Sequence, residues 1–123
     1  MDLMEIGNTL VRMVNAGGDR AFSAAHYAAD VVSIEGQGSE EMPARIDCLE
    51  AVKGKEDWWH ANHEVHALTA EGPYVGHRED QFAVRFFLDV TPTGGERMQM
   101  DEVALYTIRD GKIAQEEFPY RLD

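Results

Sequence analysis

Asp110-Gly111, set between MQMDEVALYTIR and KIAQEEFPY, constrains this chain more than any other pair of residues. Both central residues of a type I′ turn need φ > 0, and Asp-Gly between alternating apolar residues is the strongest short-range hairpin signal. The turn fixes a register, and the register sorts side chains by face. Met98, Met100, Glu102, Ala104, Tyr106 and Ile108 share one face; Arg97, Gln99, Asp101, Val103, Leu105 and Thr107 share the other. The first face is apolar except for one carboxylate. Glu102 is therefore a candidate buried acid, and buried acids with few polar neighbours are where proton transfer is commonly found. Asp101 is expected on the outer surface.

The rest of the chain divides into helices first and strands afterwards. Leu3, Ile6, Leu10, Met13 and Val14 recur at helical spacing behind Asp2 and Glu5, which stand like a capping pair, and Gly17-Gly18 ends that helix. A second helix is expected over Asp19 to Ala28, capped by Asp19. The β-branched run Val31 to Glu35 reads as a strand followed by a loop at Gly36, Gly38 and Pro43. A short extended piece near Ile46 to Val52 leads to a third helix, Lys55 to about Asn62. Strands are expected over His63 to Ala70, Gln81 to Val90, Glu96 to Ile108 and Lys112 to Tyr120, with turns at Glu71-Gly72-Pro73 and Thr91 to Gly95. Helices followed by a meander define an α+β domain, and the 123 residues suit one such domain, 1–123.

Composition narrows the partners. Apolar residues make up 44% of the chain, enough for a core. The formal charge of −12, from 23 acids against 11 bases, would repel nucleic acid and an anionic membrane surface. Cys48 is alone, so no intrachain disulfide forms, and the N-terminal MDLMEIGNTLVRMVNAGG has neither the basic start nor the apolar run of a signal peptide. A cytoplasmic protein is expected.

Helices over a curved sheet leave a conical hollow, the kind of concave site that holds a small apolar ligand. Phe82, Val84, Phe86 and Leu88 share the face expected to line it, while Phe87 lies on the outer face beside Val103 and Leu105. An apolar outer face suggests a homodimer packed sheet to sheet.

The order of helix, Asn15-Ala16-Gly17-Gly18-Asp19, short helix, Ala29-Asp30-Val31-Val32, a Gly-led third helix and the closing Ile108-Arg109-Asp110-Gly111-Lys112-Ile113 resembles the SnoaL-like branch of the nuclear transport factor 2 superfamily. The resemblance covers nearly the whole chain. It implies a dimeric cone-shaped roll, a curved mixed and mainly antiparallel sheet with three helices enclosing a cavity. The superfamily includes ketosteroid isomerase, polyketide cyclases, dehydratases, epoxide hydrolases and proteins without catalysis, so the resemblance specifies the fold more than an activity. Ketosteroid isomerases place an Asp general base after the first strand, where this chain has Glu35. Leu10 stands where their first helix supplies an oxyanion-binding Tyr. Their second, protonated acid corresponds to a position within Asp101 to Val103. Polyketide cyclases match the outline equally well and need chiefly one carboxylate in an apolar pocket.

From these readings come the candidate site residues. Glu35 is the expected general base, with an exposed strand-end carboxylate as the plainer account. Glu102 is the expected hydrogen-bond donor to a developing enolate, against a cross-strand pair with Arg85. Tyr106 shares the inward face with Glu102, and Tyr27 on the second helix is a weaker donor. His63, at a helix end, is favoured over His60 and His66 as an acid or base. Those three histidines lack the spacing of a zinc motif, so neither metal nor cofactor is expected. Trp58 and Trp59 diverge by about 100° on a helix, so one of them is expected to face the hollow. Met98 and Met100 would give an adaptable lining. The expected function is ligand binding with cofactor-free isomerisation, cyclisation or dehydration of an apolar carbonyl compound; the alternative is a noncatalytic binding or dimerisation module.

Overall fold

The computed structural model describes residues 1–121. Among them lie α1 (Leu3–Asn15), α2 (Asp19–His26), β1 (Tyr27–Glu35), β2 (Arg45–Asp47), α3 (Leu49–Ala61), β3 (His63–Val75), β4 (Gln81–Pro92), β5 (Met98–Arg109) and β6 (Lys112–Phe118). One mixed sheet runs β2-β1-β6-β5-β4-β3, parallel only where β1 meets β6. It stays open, with β2 and β3 as edges. The helices cover its concave face, so the expected α+β cone is the fold observed.

α1 begins with the expected capping box: the Asp2 carboxylate accepts from the Glu5 amide at 2.9 Å, and Glu5 accepts from the Asp2 amide at 3.4 Å. Its buried stripe of Ile6, Leu10 and Val14 closes the narrow end of the cone. α2 differs from expectation at both ends. Gly18 is its N-cap and makes no side-chain bond, because the Asp19 carboxylate turns to His60 instead. The helix stops at His26, so Tyr27 opens β1 and lies on the sheet.

α3 starts six residues before the expected Lys55. Leu49 and the fully buried Val52 anchor its first turns in the core, and Gly54 falls mid-helix, where tertiary burial outweighs a propensity cost of about 1 kcal/mol. β3 likewise continues through the expected turn at Glu71-Gly72-Pro73. Register slips between Glu71 and Tyr74, yet pairing resumes with Tyr74↔Ala83 and Val75↔Phe82. An edge strand tolerates this proline because its missing N–H costs no ladder bond on the open side.

The Asp110-Gly111 turn forms as expected, with φ of 53° and 75°. Arg109 pairs with Lys112 and Ile108 with Ile113, but Thr107 then pairs with Gln115 and Tyr106 with Glu116. Ala114 is the extra residue of a β-bulge. An unbroken ladder would set Gln115 beside Tyr106; the bulge turns Glu116 inward instead.

On the convex face Arg85 joins Glu71 at 3.3 Å and Asp101 at 3.1 Å, which leaves Asp101 outside, as expected. Asp89 is covered there by Arg97 and Gln99, and the Arg97 hydrogen bonds hold its carboxyl down at about 2. Among the described residues no helix is long and apolar enough to cross a membrane.

Candidate functional site

Between α2, α3 and the concave sheet lies a cavity of about 520 Å³. Its walls are mostly apolar: Leu10 and Trp59 from the helices, Phe86, Leu88 and Val90 from β4, Met98 and Met100 from β5. Along β5 the inward side chains run from the exposed Met98 at the rim through half-buried Glu102 to the buried Ala104 and Tyr106. Strand alternation puts one carboxyl partway down an apolar wall.

Glu35, at the end of β1, pairs with Lys55 Nζ at 2.6 Å, and both side chains are largely covered, at 21% and 12% exposure. The same ammonium donates to Ser33 Oγ at 2.7 Å and lies 5.4 Å from the centre of the Phe118 ring. Ser33 donates in turn to Glu116 Oε2 at 2.6 Å, while the Tyr27 hydroxyl donates to Glu116 Oε1. Tyr106 meets Tyr27 by a further hydrogen bond. A continuous chain of polar contacts thus joins Glu35 to Tyr106 through the floor of the cavity.

Burial dominates the titration of this floor. It pushes Glu116 up despite the hydrogen bonds from Ser33 and Tyr27, and it holds both phenols well above their ordinary value. Glu102 is pushed up to about 7, first by burial and then by the charge of Glu35, with Lys55 pulling the other way. No hydrogen bond contributes to that shift. At neutral pH Glu102 therefore keeps its proton in about half of the molecules, and burial in the apolar wall is what holds it there.

The helical side carries a second polar group. Glu56 accepts from Ser23 Oγ at 2.5 Å; burial pushes it up to about 8 against the pull of that hydrogen bond, with Glu116, Asp19 and Asp57 adding to the rise. One turn further along α3, His60 Nε2 lies 2.8 Å from Asp19 Oδ2.

Of the residues expected at the site, Glu35, Glu102, Tyr106, His63, Tyr27, Phe86, Met98 and Met100 line this one cavity. Both Trp58 and Trp59 line it, where one was expected, because the cavity wraps around the last turn of α3. Phe82 and Val84 do not reach it. They lie at the narrow end of β4, 1% and 0% exposed, where α1 fills the space and Phe82 stacks on Tyr106. His63 stacks on Trp59 with Nδ1 2.8 Å from the Trp59 carbonyl, whereas His66 points to Thr91. Among the described residues no three His, Cys, Asp or Glu side chains converge as a metal site would need.

Several participants escaped sequence reading, among them Ser23 and Ser33, whose hydroxyls carry no signal in a strand or helix pattern. Glu116 depends on the bulge at Ala114. Lys55 and Glu56 lie in the middle of α3, not at its expected start, and Asp19 pairs with His60 where a helix cap is expected. The i, i+4 spacing of Glu56 and His60 is the signal that could have placed both on one helix face.

A model of the SnoaL-like domain family matches residues 4–120. A candidate SnoaL-like polyketide cyclase from Mesorhizobium loti, also described as a carbohydrate phosphatase, is 42% identical with a TM-score of 0.88, over 98% of this chain and 100% of that one. A Mycobacterium tuberculosis protein in complex with estradiol-17beta-hemisuccinate is 24% identical with a TM-score of 0.74, over 98% and 94%. A Xanthomonas campestris protein with a cystatin-like fold is 16% identical with a TM-score of 0.76, over 96% and 89%. The last two likenesses concern the fold alone. No curated protein matches the chain. A match along almost the whole length, joined to the 42% identity, establishes that the chain belongs to the SnoaL-like family.

Proposed function

We propose that this protein binds a flat, apolar carbonyl compound in its cone and moves a proton on it without a cofactor. The observation that carries this reading is that Glu35 and Glu102 both line one apolar cavity, with Glu102 held at about 7. Glu35 takes a proton from the carbon beside the carbonyl, and Glu102 donates a hydrogen bond to the enolate oxygen as charge develops there. Tyr106, tied to Tyr27 and Glu116, stiffens the floor behind that oxygen. His63 and the two tryptophans supply a flat aromatic rim suited to a polycyclic body. Isomerisation, cyclisation and dehydration share this first step.

The test uses 4-(naphthalen-2-yl)butan-2-one in D₂O, with deuterium uptake beside the carbonyl read by mass spectrometry. The protein accelerates uptake; Glu35→Gln slows it about 100-fold or more, and Glu102→Gln about 100- to 1000-fold. Unchanged uptake in both variants ends this mechanism.

A binding-only reading has one observation in its favour: the Glu35–Lys55 ion pair, at 2.6 Å, occupies the base. The Mycobacterium tuberculosis relative holds a steroid ester in the same fold. On that reading the ketone binds and gains no deuterium. In either case we infer a homodimer joined through the convex face, where Val103 is 51% exposed beside Phe87, and residence in the cytoplasm, where a free, exposed Cys48 stays reduced.

A further inference from the structure

A single base suffices to move one proton between two carbons, and the Glu35–Glu102 wall already supplies that base and a donor. The helical wall holds a carboxyl that this chemistry leaves unused. Glu56 projects from α3 into the same cavity, and its position is set by Ser23, which is 1% exposed and donates to Glu56 Oε2 at 2.5 Å. Its strongest charged neighbours are Glu116, Asp19 and Asp57, whereas those of Glu102 are Glu35, Lys55 and Glu116. Glu116 alone is common to both sets. The cavity therefore carries two acid centres, Glu102 on the sheet and Glu56 on the helices, and both feel the charge of Glu116. Chemistry that uses both must move protons at two separate atoms of one substrate.

The geometry points to Glu56, held by Ser23, as the proton donor to a leaving hydroxyl, which makes the reaction a dehydration of a β-hydroxy carbonyl compound. This rests on the proton-transfer reading above and deepens it. The Glu35 carboxylate takes the proton from the α-carbon, and the C–H electron pair becomes the enolate. The enolate collapses to form the Cα=Cβ double bond as the Cβ–O bond breaks. That oxygen takes the bond pair and the Glu56 proton and leaves as water. Substrate becomes enone plus water; Glu35 ends protonated and Glu56 ionised, and exchange of one proton each with solvent restores both. An ionised Glu56 beside Asp19 and Glu116 is repelled by both, which favours its reprotonation between turnovers.

The probe is 4-hydroxy-4-(naphthalen-2-yl)butan-2-one in D₂O, read twice: conjugated enone by absorbance, and deuterium at C3 of recovered hydroxy ketone by mass spectrometry. The wild-type protein forms enone. In Glu56→Gln, enone formation falls about 100-fold or more while C3 exchange continues within about 3-fold of wild type or rises, because the enolate still forms and now returns. Glu35→Gln loses both signals. Ser23→Ala keeps the carboxyl but frees it, and slows enone formation about 10-fold with exchange intact, so the assignment stands or falls even if the Gln variant does not fold. Glu50→Gln, in the exposed first turn of α3 away from the cavity, leaves both signals alone. Wild-type enone formation by Glu56→Gln or by Ser23→Ala overturns the assignment. A wild-type protein that exchanges C3 and makes no enone overturns dehydration and keeps the proton-transfer reading. Failure of both signals in the wild type overturns both readings.

Discussion

Glu102, Glu56 and Glu116 are carboxyls that burial holds on the protonated side of their ordinary range. The consequence for stability has a definite sign. A carboxyl raised in the folded state favours folding fully below its ordinary value, here 4.5, and that contribution is lost as pH climbs, through about 7 for Glu102 and about 8 for Glu56. Asp89 acts oppositely: held at about 2, it supports the fold above 3.8 and loses that support as the pH drops toward 2. The melting temperature is expected to fall between pH 5 and pH 9. Glu102→Gln narrows that fall by about 1–2 kcal/mol, or roughly 3–6 °C, once partial solvent contact is allowed for. A differential scanning profile with the same pH dependence in the variant would contradict this. Glu102 was legible because alternation around a firmly placed turn names its face. Glu116, two strands of reasoning away, was not.

At the scale of elements, the cavity mouth depends on the segment after β6 lying against the loop after β1. Gly36 allows that approach: a Cβ there would stand 2.0 Å from the Tyr120 carbonyl oxygen. Tyr120 lines the cavity and donates its hydroxyl to the Gln37 carbonyl at 3.1 Å. Gly36→Ala is therefore expected to push this segment off the rim, at a cost of about 1–3 kcal/mol. Carboxypeptidase should then trim the C-terminus several-fold faster than in the wild type; equal trimming would show that the contact does not hold the segment. Element identity was readable wherever local signals agreed, as in the Asp2–Glu5 box of α1 and the Asp110-Gly111 hairpin. It failed where they conflicted with packing. Gly54 leads the expected third helix and Pro73 closes an expected turn, yet α3 starts ahead of Gly54 because Val52 is buried in the core, and β3 runs past Pro73 because its pairing with β4 resumes at Tyr74.

For the whole molecule, the convex sheet face is the feature with an unanswered apolar surface. If copies pair through it, sedimentation at micromolar concentration gives twice the chain mass, and Val103→Lys returns the protein to a monomer. With a net charge of −12 on each copy, added salt tightens the pair by screening repulsion. A wild-type monomer under these conditions would refute the dimer. By itself the sequence determined the architecture, because strand alternation, turn chemistry and capping are local and each repeats along the chain. It also determined that an acid sits on the inner face of β5. The tertiary structure decided which acids meet: a one-residue bulge at Ala114 brought Glu116 to Tyr27 and Ser33, and the true start of α3 carried Lys55 to Glu35 and Glu56 to Ser23. Those pairings link residues from 20 to 89 positions apart. No spacing encodes them, since they follow from how far each strand slips and where each helix begins once the core has closed.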